Sequence, residues 1–145
     1  MKNSLIISLL ILSVGVCQNK VNVNNLVKYG DKWFKENDDR PFNGIVFDLS
    51  KETGNKILEY EMVDGIKNGV YQEWYGNGKK LINTRFKNGK KDGLYTEWNQ
   101  GEEIMKKGMY NLNLMNGEWL YKLDKDGLEF FTYCYYENGN GGYPN

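Results

Sequence analysis

Two consecutive stretches decide how this chain folds: NGVYQEWYGNGKKLINTRFKNGKK at residues 68–91 and DGLYTEWNQGEEIMKKGMYNLNLM at 92–115. Laid one over the other, both place Tyr two positions after the lead glycine (Tyr71, Tyr95) and Trp five after it (Trp74, Trp98). Glu immediately precedes each Trp (Glu73, Glu97), a second Gly follows (Gly78, Gly101), and an aromatic stands 17 residues after the lead (Phe86, Tyr110). The same Gly-led block opens at Gly44, Gly69, Gly93 and Gly117, with spacings of 25, 24 and 24 residues. A fixed period of this length marks a stacked repeat array, in which each unit buries its apolar face against its neighbours.

Each block reads as a hairpin. Residues 70–75 and 80–87 are runs of strand length, and the GNGK between them contains Asn-Gly, a strong hairpin signal. The corresponding turns are ETGN, NQGE and DKDG, and a second turn such as KNGKKDG at 87–93 links one hairpin to the next. Composition agrees. There are 17 Gly, 11 Tyr and no Ala, a poor recipe for helix and a good one for short strands joined by tight turns. The expected fold is all-β, an elongated antiparallel meander of stacked β-hairpins. Tyr71, Trp74, Phe86, Tyr95, Trp98, Tyr110 and Trp119 are expected to form its structural ladder of rings. The repeats span 44–68, 69–92, 93–116 and 117–142, behind a capping segment at 26–43. The first and last depart from the pattern. Phe47 and Leu49 replace Tyr and Trp in block one, and Lys122 takes the Trp position in block four. Block four also carries Tyr121, Phe130, Phe131, Tyr133 and Tyr135, more rings than one face of one hairpin needs, so some are expected at the surface.

The first 16 residues, MKNSLIISLLILSVGV, form a separate unit. Lys2 gives a short positive region and Leu5 to Leu12 is apolar apart from Ser8, too short to span a bilayer and similar to a secretory signal peptide. Cys17 follows at once, which resembles the bacterial lipoprotein pattern of cleavage before an acylated Cys, with Val16 an unusual neighbour. The expectation is an exported protein anchored in the cell envelope through Cys17, with residues 17–25 as tether. Acylation of Cys17 would leave Cys134 without a disulfide partner.

Chemistry is scarce. Lys plus Arg and Asp plus Glu are 19 each, with no basic excess to draw nucleic acid. Without His, the common general base and the commonest metal ligand are missing. GNGKK at 76–80 lacks the spacing of a phosphate-binding loop. Asp124 and Asp126 before Gly127 do not complete a calcium loop, because Lys122 and Tyr133 fall on ligand positions. No catalytic residue, cofactor or metal is expected. Glu73 and Glu97, at equivalent places, are candidates for an acidic stripe that meets a protein partner, and also read as a solvated sheet face. Tyr133 and Tyr135 are candidates at a sticky end, and Lys87, Lys90 and Lys91 read as a solvated turn.

RPFNG at 40–44, NGVYQEWYGNGKK at 68–80, RFKNGKKDGLYTEW at 85–98 and NGEWLY at 116–121 together resemble MORN repeats, and more closely the variant in YwqK-type antitoxins. The likeness covers about residues 26–142 and departs at Asn113, where a turn Gly is expected. It implies an array of hairpins and a binding protein whose partner could be a toxin. A cytosolic antitoxin would not carry an export signal, so the chain is expected to bind a protein at the envelope. The alternative is a lipid-tethered spacer without a dedicated ligand.

Overall fold

The computed structural model describes residues 19–125 and 127–142. The expected signal peptide and Cys17 lie outside the described residues. One sheet of 11 strands runs the length of the array, in the order β1-β4-β5-β6-β7-β9-β10-β11-β12-β13, with β8 beside β7. The strands are β1 (Lys20–Asn22), β4 (Gly44–Leu49), β5 (Lys56–Val63), β6 (Ile66–Trp74), β7 (Lys80–Lys87) and β8 (Lys90–Lys91). They continue as β9 (Gly93–Trp98), β10 (Ile104–Asn111), β11 (Leu114–Lys125), β12 (Leu128–Glu137) and β13 (Asn140–Gly142). The fold is an all-β meander, antiparallel throughout except where β1 lies parallel to β4.

Residues 17–25 were expected to be a tether, yet Lys20–Asn22 form β1 and Val23–Asn25 a 3-10 turn. The reason is Val21, which is buried opposite Val46. The segment 26–43 forms a separate two-stranded sheet, β2 (Leu26–Tyr29) and β3 (Lys32–Lys35), which brings Leu26 and Phe42 into a cluster with Val21, Val46, Tyr60 and Met62. This cluster closes the N-terminal end of the array.

Two features explain why glycines open each block and why the period holds. Gly44, Gly69, Gly93 and Gly117 all have positive φ, a conformation that L side chains rarely adopt. At Gly69 a Cβ would also stand 1.9 Å from the Glu61 carboxylate. The turns between hairpins sit on Asp64-Gly65, Asn88-Gly89, Leu112-Asn113 and Asn138-Gly139, with both residues at positive φ as in the primed turns that suit strand twist. The second residue of each donates its N–H backwards along the array: Gly65 to the Phe42 carbonyl (2.9 Å), Gly89 to Lys67 (2.8 Å), Asn113 to Lys91 (2.8 Å) and Gly139 to Met115 (2.9 Å). The lead asparagines take part too, since Asn43 and Asn68 accept from the N–H of Asp64 and Asn88 through their side-chain oxygens.

A sheet of this kind has two faces, and the period places equivalent residues on the same one. On the ladder face Tyr60 opposes Tyr71, Tyr71 opposes Thr84, and Tyr95 opposes Gly108. The rings form two groups. Tyr71 stacks on Tyr60 (centroids 5.6 Å) and tilts against Phe86 (5.2 Å). Further along, Tyr95, Tyr110, Tyr121 and Tyr136 surround Trp119, which is fully buried. Thr84, also buried, stands where the register carries the first group into the second.

Trp74 and Trp98 do not join this ladder. Three residues after Tyr71 and Tyr95, an odd step along a strand, they fall on the reverse face. There each is half-buried, beneath the ammonium of Lys56 (4.5 Å) and Lys80 (5.9 Å) respectively.

Candidate interaction surface

The two glutamates sit on the ladder face, an even step from their tyrosines. The Tyr71 hydroxyl donates to Glu73, and the Tyr95 hydroxyl donates to Glu97 at 2.7 Å. Both carboxylates are half-buried and engaged by the chain itself, which leaves them less free than an open acidic stripe would be.

A lysine completes each of these units. Lys67 lies over Tyr60, Tyr71 and Phe86 at 4.6, 4.5 and 5.3 Å, and Lys91, 24 residues later, lies over Tyr95 and Tyr110 at 5.0 Å each. Lys91 was expected in a solvated turn. It covers rings instead because β8 pairs back on β7, with Lys91 opposite Phe86. Lys106 caps the second ring group, over Tyr95, Trp119 and Tyr121. Burial among rings drives the ammonium pKa of Lys67 and Lys106 down, against the pull of Glu73 and Glu97. Burial likewise drives the phenols of Tyr71 and Tyr95 well above their usual range, helped by the bonds to Glu73 and Glu97. In the next period the Lys–Tyr–Glu set becomes Met115, Trp119 and Tyr121, so the unit occurs twice. Sequence reasoning passed over Lys67 and Lys106; the signal available was that Lys67 and Lys91 obey the same 24-residue spacing as the tyrosines.

Tyr133 and Tyr135 lie elsewhere. They project from the reverse face of β12 with Phe131, opposite Leu120, Glu118 and Lys122 of β11. Phe131, Tyr133 and Tyr135 are 57, 52 and 63% exposed, and Leu128 at the start of the strand is 73% exposed. The structure therefore does not unite the four partner-binding candidates: the glutamates and the two tyrosines are on opposite faces. The reverse face at this end is held by Lys122, which bonds Glu103 (2.8 Å) and Glu129 (2.7 Å) while its side chain is only 7% exposed.

Among the described residues no group of three or more His, Cys, Asp or Glu is placed to hold a metal ion, and no helix is long and apolar enough to cross a membrane. No protein-family model, curated protein or solved structure matches the chain.

Proposed function

We propose that this chain is a non-catalytic, MORN-like repeat protein that is exported, held at the bacterial envelope through Cys17, and presents a binding surface to another protein. The observation that carries this reading is the row Phe131, Tyr133 and Tyr135, three exposed rings on one face of the terminal hairpin. Aromatic side chains give large contact area at low entropic cost and are enriched at the centres of protein interfaces. A contiguous exposed apolar patch on a folded domain marks an interaction site more often than a bland surface. The likeness to YwqK-type antitoxins makes a toxin one class of partner.

The test is capture with the full chain in mild detergent, against extract and culture fluid of the cells that make it. One protein retained in near-equal amount, and lost with Tyr135→Ser or Tyr133→Ser, supports the binding reading. Retention of nothing, or of the same proteins by both variants, removes it and leaves the tethered spacer. Acylation of Cys17 is checked separately, by the mass of the N-terminal peptide from membranes.

A further inference from the structure

The two ends of the sheet are finished differently. At the N-terminal end, β2 and β3 place Leu26 and Phe42 over the core beside β1. At the other end the last long strand, β12, pairs with β11 on its inner side and, among the described residues, meets only β13 on its outer side, which pairs with Tyr135, Tyr136 and Glu137 and reaches no further. Among the described residues nothing pairs with the outer edge of residues 128–134. A repeat array requires capped ends, and an open apolar edge strand is a template for another strand.

The hydrogen-bond phase of this edge follows from its last turn. Glu137 and Asn140 flank a two-residue turn, and residues flanking such a turn exchange both backbone bonds, which turns the N–H and C=O of Glu137 toward β13. Even-numbered residues of β12 therefore bond β11, and odd-numbered residues turn their N–H and C=O outward. Glu129, Phe131 and Tyr133 thus present three donors and three acceptors at the edge.

We propose that a second copy of this chain closes the array, β12 pairing antiparallel with β12 about a two-fold axis at Phe131. This register is the most extended one that fits. It faces Leu128 with Cys134 of the other copy, and one further residue would meet the position that β13 holds at Tyr135. It is also in phase. Phe131 faces Phe131, and Glu129 faces Tyr133, so outward groups meet outward groups in six backbone bonds. Side chains agree: two exposed phenylalanines meet at the axis, Phe130 faces Thr132, and no like charges are opposed, Glu129 being already paired with Lys122. An isologous two-fold contact of this kind closes on itself and leaves both capped ends outward.

The inference rests on the backbone edge and not on the aromatic-surface reading above, and the two fail separately: Phe131 and Tyr133 belong to both, but Tyr135, whose backbone is already paired to Gly142, tests the surface alone, and the state of association reads the edge alone. The experiment is sedimentation of the full chain in mild detergent at micromolar concentration, with two variants. The wild type is expected to be a dimer. Phe131→Lys sets two charges against each other at the axis and is expected to weaken association at least tenfold. Leu128→Cys is expected to form an intermolecular disulfide with Cys134, because that pair is a non-bonded one in which Cα atoms stand about 4.5 Å apart; adding Cys134→Ser should abolish the crosslink. A monomeric wild type, or a dimer unmoved by Phe131→Lys and without the crosslink, overturns the proposal. So does a dimer that forms only after residues 143–145 are deleted, since the chain's own end would then be the occupant.

Discussion

The indole of Trp119 rests directly on the backbone of Gly108: a Cβ on that glycine would stand 2.1 Å from Cδ2 and 2.4 Å from Cε2. Gly108 occupies the period position held by Tyr60 and Thr84 in the preceding hairpins, so a small residue was traded in where a large ring took over from Tyr71 and Tyr95. Trp119 also bonds the Met109 carbonyl through its N–H at 3.2 Å. Gly108→Ala is therefore expected to cost about 3 kcal/mol by overpacking. Urea unfolding measures it, and the cost should shrink in a Trp119→Ala background, where the obstructing ring is gone. A midpoint unchanged by Gly108→Ala would refute the packing.

Thr84 is 1% exposed and its hydroxyl has no hydrogen-bond partner among the described residues. An unmet buried hydroxyl costs free energy, and Val matches the shape of Thr without it. Thr84→Val is expected to stabilise the fold by about 1 kcal/mol. A loss of stability would mean that the hydroxyl is satisfied in solution, for instance by a bound water.

Leu112 has φ +49° in the turn between β10 and β11, where the other inter-hairpin turns use Asp or Asn. Its side chain is 46% exposed, so little packing offsets the strain. Leu112→Asn is expected to raise stability by about 1 kcal/mol, the usual scale for relieving a left-handed non-glycine residue. Asn113 should be kept, because its side-chain oxygen accepts from the Lys91 N–H at 2.6 Å. Thermal melting of the Leu112→Asn and Asn113→Gly variants, one up and one down, checks both halves.

Alkaline pH is expected to unfold the protein cooperatively. Tyr60, Tyr71, Tyr95, Tyr110 and Tyr121 are all shifted upward, in every case mainly by burial. A folded-state pKa above the unfolded value of about 10 gives stability that is complete below that pH and is lost as pH rises through the folded values. Lys67 and Lys106, shifted down, act in the opposite sense, since the penalty of burying their charge is relieved as pH approaches about 10.4. Two lysines against five tyrosines leave a net loss above about pH 10. Tyrosinate absorbance followed together with circular dichroism should show these rings ionising as the sheet unfolds. Ionisation of all of them in a still-folded sheet would contradict their burial.

Most of the architecture was legible in the sequence because its signals are local. The 24-residue period, the Asn-Gly and Asp-Gly turns and the strand-length runs each specify backbone, and they agree with one another. What stayed hidden depends on register and on faces. Trp74 was read with Tyr71 because both recur, although an odd separation sends them to opposite sides of the sheet. β1 was missed because QNKVNVNN is polar apart from its valines, and only the partner strand shows that Val21 is buried. Lys91 reads as solvated, and Lys67 and Lys106 draw no reading, because composition cannot say that an ammonium lies over a ring. Gly108 carries no signal of its own in the sequence, and only the position of Trp119 gives it a role in packing.

The backward bond from each inter-hairpin turn, as from Gly89 to the Lys67 carbonyl, ties a period only to the one before it. Nothing in this linkage counts periods. A duplicate of residues 69–92 inserted after Asp92 would find the same acceptor behind it and offer the same acceptor ahead, lengthening the sheet by two strands, about 10 Å. The reach of the molecule is thus set by how many copies of one short segment the chain contains, a quantity that a single duplication or deletion can change without redesigning either end.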